Sequence, residues 1–356
     1  MKPLGTLLVR ETHGIRRFLY PLATTLELPH GVAPADLGLA RSGGQPVPLQ
    51  CTLEPNRDSA AVRIDFAVSL APYEQVTLIL GTGMDTGLID DPISLRAADG
   101  YVSEQRRVRL EFERTGSISQ ILYDGIRHLR GPSRITRNGE AAAGTDHVIN
   151  AGPLGARLLA QCRYADGCRA RTTLEITACK SWAMLTHVLN EPDPHDIVSF
   201  TLPLEASSPL ITCDFGPGGG VYGKLQGPAS PAVWQTEFSE GRVHWTLATA
   251  GRVDCQGTIS RPEEYRAQCW FHWIDRNKSL AVAIPGIPED LRQMTANLGV
   301  GGDITLSFEL GSTVRGPAAV TVCYHFLNDI PPVSAATSPQ SILLPPVVAF
   351  SPSNAI

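Results

Sequence analysis

The sequence predicts an all-β protein, a small N-terminal β-sandwich followed by a larger two-sheet sandwich. Three observations carry that expectation. Apolar and polar residues alternate at period two over most of the chain. The alternating runs are separated by Gly, Pro, Asp and Asn at intervals of about ten residues. Helix signals are almost absent, which argues against a parallel sheet with crossover helices.

The elements follow in chain order. AAVRIDFAVSL (60–70) alternates cleanly and belongs to the first sandwich, residues 1–95. LIDDPISLRAADG (88–100) marks a break in composition. RRVRLEFERTG (106–116), ARTTLEITAC (170–179), VHWTLATA (243–250) and DITLSFELG (303–311) read as strands of the second unit, residues 96–332. In CWFHWID (269–275), alternation puts Cys269, Phe271 and Trp273 on one face and Trp270, His272 and Ile274 on the other. DRNK then reads as a turn and SLAVAI as the returning strand. The one helix-like stretch is PEDLRQMTANL (288–298), with Pro288 at its start and Leu291, Met294 and Leu298 three or four apart. Residues 333–356 form a Pro/Ser-rich C-terminal tail whose apolar ILLPPVVAF piece favours docking on the body.

Composition narrows the function classes. The chain of 356 residues is 43% hydrophobic and 18% charged, with a formal net charge of −5, which suits a soluble globular protein with a large core. No Lys/Arg stripe with interleaved aromatics occurs, so nucleic acid is not an expected partner. No apolar run is long enough to cross a membrane as a helix. The N-terminus lacks the continuous apolar core and cleavage site of a signal peptide, so the expectation is a cytoplasmic location or a leader already removed. Eight cysteines occur without a CxxC, which reads as buried, reduced strand cysteines rather than a metal knuckle.

The motifs are weak. GPGGGVYGKLQGP (216–228) imitates a phosphate loop, but Leu225 stands where Ser or Thr must hold magnesium, and Pro228 prevents a following helix. A mobile loop over a cleft is the functional alternative, with Tyr222, Lys224 and Trp234 facing a ligand. GxSxG and HExxH are absent. NEPDPHD (190–196) reads as a solvated turn before convergence on a metal, and Asn277-Lys278-Ser279 matches a glycosylation sequon. No cofactor and no metal are expected.

Two segments resemble known families. RETHGIRRFLYPLATTLELPHG, then LARSGGQPVPLQ with its G-x-PVP-x-Q hairpin, then RIDFAVSLAPYEQVTLILGTG, resembles the opening β-domain of exo-acting rhamnogalacturonan lyase-like proteins. It is also similar to the β-domains that trail α-mannosidase-type glycoside hydrolases. RRVRLEFERTGSISQILYDGIRHL (106–129) resembles the start of a galactose mutarotase-like supersandwich, and QCWFHWIDRNKSLAVAIPGIPEDLRQM resembles a hairpin of the lyase-like family. The resemblance runs over residues 8–328 and includes no catalytic signature. Those families carry a large helical or α/β catalytic unit, which no stretch here encodes.

What the resemblance implies is a carbohydrate-binding, carbohydrate-active β-sandwich protein with a saccharide ligand. One reading is a polysaccharide lyase or epimerase acting on an acidic or rhamnose-containing saccharide. The other is a non-catalytic accessory or structural subunit pairing with a separate helical catalytic chain. For an enzyme, adjacency of histidine to aromatics and to the Gly-rich loop nominates His272, His244 and Tyr222 for acid-base catalysis. Trp270, Trp273 and Trp234 are nominated for stacking on the sugar, and Lys224 for polar contact. Convergence of His244, His272 and Tyr222 on one open concave face is the structural test of that assignment.

Overall fold

The structure, a computed structural model, describes residues 2–53, 61–207, 210–216, 221–226, 232–239, 241–261, 264–265, 268–276, 278–299, 302–328 and 337–353; for residues 145, 210–212, 221–226 and 337–338 only the backbone is described. It is all-β, and every described strand pairing is antiparallel. The five strands quoted from the sequence all form, as Ala61–Leu70, Val108–Phe112, Arg169–Thr177, Arg242–Thr249 and Asp303–Leu310.

The first sandwich faces a five-stranded sheet with a three-stranded one. The larger sheet runs Val347–Pro352, Lys2–Arg10, Gln75–Thr82, Leu37–Arg41, Pro46–Val47; the smaller runs Arg17–Glu27, Ala61–Leu70, Leu49–Leu53. Alternation sends Val62, Ile64 and Phe66 inward against Leu7, Val9, Leu39 and Leu80. The Pro/Ser-rich segment does more than rest on the surface. Its residues Thr337–Leu343 form a helix, and Val347–Pro352 becomes the edge of the first sheet, with Gly5 opposite Pro352 and Val9 opposite Val348. Gly5 is glycine for a reason: a β-carbon there would lie 2.5 Å from the Phe350 ring.

The larger unit packs an eight-stranded sheet on a nine-stranded one. The nine run Ala143–Ala151, Gly155–Arg163, Arg169–Thr177, Trp182–Leu189, Ala318–Leu327, Ser279–Gly286, Trp270–Ile274, Leu210–Phe215, Val221–Gln226. Between the sheets lies one core, with Leu174, Leu185, Val282 and Val322 on one side and Phe200, Leu306 and Phe308 on the other. A small five-stranded sheet spanning Ser94 to Arg127 packs at its flank, contributing Leu110 and Ile121 to that core.

The hairpin from CWFHWID to SLAVAI is present, with Trp270 opposite Ala283 and Ile274 opposite Ser279. The helix expected over 288–298 is instead a strand, Leu291–Leu298. The reason is a bulge between Leu291 and Gln293. The extra residue turns the three-residue spacing of Leu291 and Met294 into two inward positions of one strand, and Met294, Ala296 and Leu298 then alternate normally.

The eight cysteines are all unpaired; Cys162, Cys213, Cys269 and Cys323 are buried as expected, whereas Cys51, Cys168, Cys179 and Cys255 are only partly buried, with Cys168 and Cys179 outside the strands. No helix among the described residues is long and apolar enough to cross a membrane.

Candidate functional site

The outer face of the nine-stranded sheet, opposite the core, carries the chemistry. Cross-strand register lines up one row over seven strands: Asn150, Arg157, Glu175, Met184, Cys323, Ala283, Trp270. Directly opposed residues of antiparallel strands share a face, so the row runs from polar through apolar to aromatic. The next row runs Trp182, His325, Ala281, His272, Asp214, with Tyr222 at the last register position.

The first sandwich sits over the polar end of these rows. Its three-stranded sheet turns outward the residues that Ala61–Leu70 does not bury: Arg63 with Thr52 opposite, and Asp65 with Gln50 opposite. Between the two units lies a cleft of about 550 Å³, within the range of small-molecule sites. Arg63, Asp65, Arg157 and Glu175 line one part of it, and Tyr20, Trp182 and Met184 another.

The four charged groups form one network across the cleft. Arg63 donates from Nη1 and Nη2 to the two oxygens of Glu175, at 3.0 and 3.4 Å, and from Nε to Asp65 at 2.9 Å. The Arg157 Nε lies 3.2 Å from Glu175 Oε1. Two guanidiniums therefore face two carboxylates, and the charge closes to zero. Removal from water pushes the Asp65 carboxyl above the usual carboxylate range, against the opposing pull of Arg63. Gln50 bolts the units together: its Oε1 accepts from the Leu154 and Gly155 amides at 3.0 and 3.1 Å, and its Nε2 donates to the Gly155 carbonyl at 3.2 Å.

A helix closes the other side. Thr337–Leu343 packs on the strands Ser279–Gly286, Trp270–Ile274 and Ala318–Leu327. Arg17 holds its end by donating from Nη1 to the Ser341 carbonyl at 2.6 Å and from Nη2 to the Leu344 carbonyl. A guanidinium there satisfies orphan carbonyls and meets the negative end of the helix dipole. Arg17 is itself paired with buried Glu11 at 3.2 Å, and the Tyr20 hydroxyl donates to Ser341 as well.

The residues nominated from sequence are dispersed. His272 is fully buried on the outer face, in the row beside the cleft, and does not line the cavity. His244 is exposed on the eight-stranded sheet, its Nδ1 2.9 Å from the Thr258 hydroxyl. The two histidines therefore lie on different sheets and do not form an acid-base pair. Trp234 and Trp273, nominated for stacking on a sugar, lie instead in the core: they are 0% and 2% exposed, and Trp234 is ringed by Phe215, Phe271 and Tyr265. Rings enclosed in this way have no face left for a sugar. Trp270 is buried on the outer face against Gly216, where a β-carbon would fall 2.5 Å from the indole nitrogen. Tyr222 and Lys224 stand in the strand Val221–Gln226 opposite Asp214 and Thr212, and their side chains lie outside the described residues, as do residues 217–220 and 227–228 of the Gly-rich stretch and Asn277 of the sequon.

The NEPDPHD carboxylates have a structural task. Asp193 and Asp196 both accept from Arg137, at 2.9 and 2.7 Å, and Asp166 joins them. Arg137 is 5% exposed, so these acids compensate a buried cation. Among the described residues no cluster of three or more His, Cys, Asp or Glu side chains is arranged to hold a metal.

No known protein family and no curated protein matches the sequence. Solved structures do match in shape. An α-mannosidase from Enterococcus faecalis V583 superposes with a TM-score of 0.61 at 10% identity, covering 98% of this chain and 46% of that one. A protein of glycosyl hydrolase family 38 from Enterococcus faecalis gives 0.57 at 10% identity, covering 98% and 47%. A galactose mutarotase related enzyme from Lactobacillus acidophilus gives a TM-score of 0.33 at 7% identity, covering 67% of this chain and 98% of that one. The likeness to the first two is one of fold, and the chain spans less than half the length of these two proteins.

Proposed function

We propose that the chain is a carbohydrate-binding β unit that holds a neutral saccharide in the cleft between its two sandwiches and is accessory to a catalytic part on another chain. The observation that carries this reading is the cleft itself: a charge-balanced ring of hydrogen-bonding groups beside Tyr20, Trp182 and Met184. Pyranose rings offer the same two surfaces, hydroxyls at the rim and C–H groups on the faces. Balanced charge favours a neutral ligand, rhamnose-containing ones included, over the acidic saccharide that the lyase resemblance implies.

A lyase or epimerase is the second reading, and Asp65 is the observation that favours it. A carboxyl raised by burial inside a cleft is shifted in the direction a general acid requires. Both carboxylates of the cleft are, however, tied to Arg63, which favours binding over proton shuttling.

Titration calorimetry against neutral and uronic oligosaccharides tests the first reading. Binding of neutral members, weakened by Glu175→Ala, is the expected result; heat from no saccharide in the panel sinks it. Growth of ultraviolet absorbance from an unsaturated product would decide for the lyase.

A further inference from the structure

A second cavity, of about 720 Å³, lies between the same two units. Its walls are Ala33, Pro34, Ala35 and Leu49 to Leu53 from the first sandwich, and Ile149, Asn150 and Ala151 from the edge strand of the nine-stranded sheet. Three of its lining residues, Gln50, Thr52 and Asn150, also line the first cleft. The two spaces therefore meet at a neck made by both units, and Gln50, tied to Leu154 and Gly155, fixes that neck in place.

The two sides of the neck differ in chemistry. The first cleft holds the four charged groups. None of the described residues lining the second is charged; its polar groups are the Gln50 and Asn150 amides, the Thr52 and Thr86 hydroxyls, and the Cys51 thiol, which burial pushes up to about 11. Amides and hydroxyls with apolar surface between them suit a chain of neutral hydroxylated rings. A charged chain would leave water there without a counter-charge.

We infer that the ligand is an oligosaccharide chain that occupies both cavities and passes Asn150, Thr52 and Gln50, rather than a single sugar confined to the first cleft. This rests on the saccharide reading of that cleft. The row that begins at Asn150 forms the floor from the neck into the first cleft, and the residues on either side of it, Ile149 and Ala151, continue into the second. Each end of the ligand then meets a different surface. One end is anchored by the ion cluster, and the other lies on uncharged wall.

Calorimetry with a neutral oligosaccharide series of increasing length, from disaccharide to hexasaccharide, tests the inference with the full chain. Ala151→Trp fills the second cavity from an exposed strand end, and Ala35→Trp fills it from the opposite wall. The expected result is affinity that rises about tenfold or more along the series. Either substitution should remove that gain and leave disaccharide binding at its original strength. Affinity that stays flat beyond the disaccharide, or a gain that survives both substitutions, overturns the two-cavity inference and leaves the cleft as a single-sugar site. Absence of binding at every length overturns the cleft reading as well.

Discussion

The two faces of the nine-stranded sheet are built from the same strands and do opposite things. The inner face is apolar almost without interruption, and Phe271 and Trp273 sit in it fully enclosed. The outer face, one residue out of step along each strand, carries Asn150, Arg157, Glu175, His325, His272 and Asp214. It is covered by the first sandwich and the helix Thr337–Leu343, and it retains a cleft under that cover. A strand such as WFHWI therefore says little about function until its faces are separated. The aromatics that looked like a sugar platform belong half to the core and half to the contact beneath the helix.

The sharpest test of the contrast is Trp273→Ala. It should destabilise the protein by about 3–5 kcal/mol, the usual cost of deleting a fully buried large aromatic. Denaturant unfolding would measure the loss, and a cost near that of a surface change would mean the inner face is not tightly packed.

Acid separates the faces less and weakens both. His187 on the inner face donates to or accepts from Tyr164 and Thr172, and burial draws its pKa down to about 4. His325 on the outer face lies edge-on to Trp182, and burial, reinforced by Lys180 and His272, draws it to about 3. Both folded values lie below the ordinary 6.5, so the unfolded chain binds protons first. Their neutral forms favour folding fully above about pH 6.5, and this contribution is lost as pH falls toward 4 for His187 and 3 for His325, up to about 3 kcal/mol for the first and about 5 kcal/mol for the second. Thermal unfolding from pH 8 to pH 4 should fall steadily below pH 6.5, and His325→Phe should flatten the slope. A midpoint unchanged across that range would contradict the placement of both rings.

Glu175→Ala should cost only about 1 kcal/mol of stability, because the network is partly open to water. Its larger effect should be a loss of about tenfold in saccharide affinity as Arg157 and the neighbouring Arg63 lose their shared anchor. Smallest of all is His244→Ala. An exposed side chain on the far sheet should change stability by less than about 0.5 kcal/mol and binding not at all. A clear loss of binding there would return the site to the eight-stranded sheet.

The fold was legible because alternation reports faces directly. It placed Phe271 and Trp273 opposite Trp270 and His272 before any coordinates were needed. The misread segment shows where that reading stops: Leu291 and Met294 look helical because a bulge adds one residue between them. The cleft was hidden for a different reason. Its four charged residues come from strands about a hundred positions apart, Arg63 and Asp65 in one and Arg157 and Glu175 in others. The available signal was local and small: an Arg-x-Asp inside the apolar run AVRIDFAV, and a single Glu in TTLEITA. Each looks like an ordinary solvated position until the units are placed face to face. Which tryptophan would line a cleft was equally hidden, since Trp182 differs from Trp234 only in what lies above it.

The edge strand Val347–Pro352 gives the molecule a timetable. It pairs with Lys2–Arg10, and the helix before it is gripped by Arg17, 324 positions upstream of Ser341. Synthesis delivers the early strand first, so its outer edge waits with unpaired amides and carbonyls until the intervening residues have been made. Closing a loop of that length is slow relative to local hairpins. That pairing seals the first sheet, and the helix before it lies over the histidine row. A nascent chain paused before it would therefore expose an adhesive strand and an uncovered sheet together.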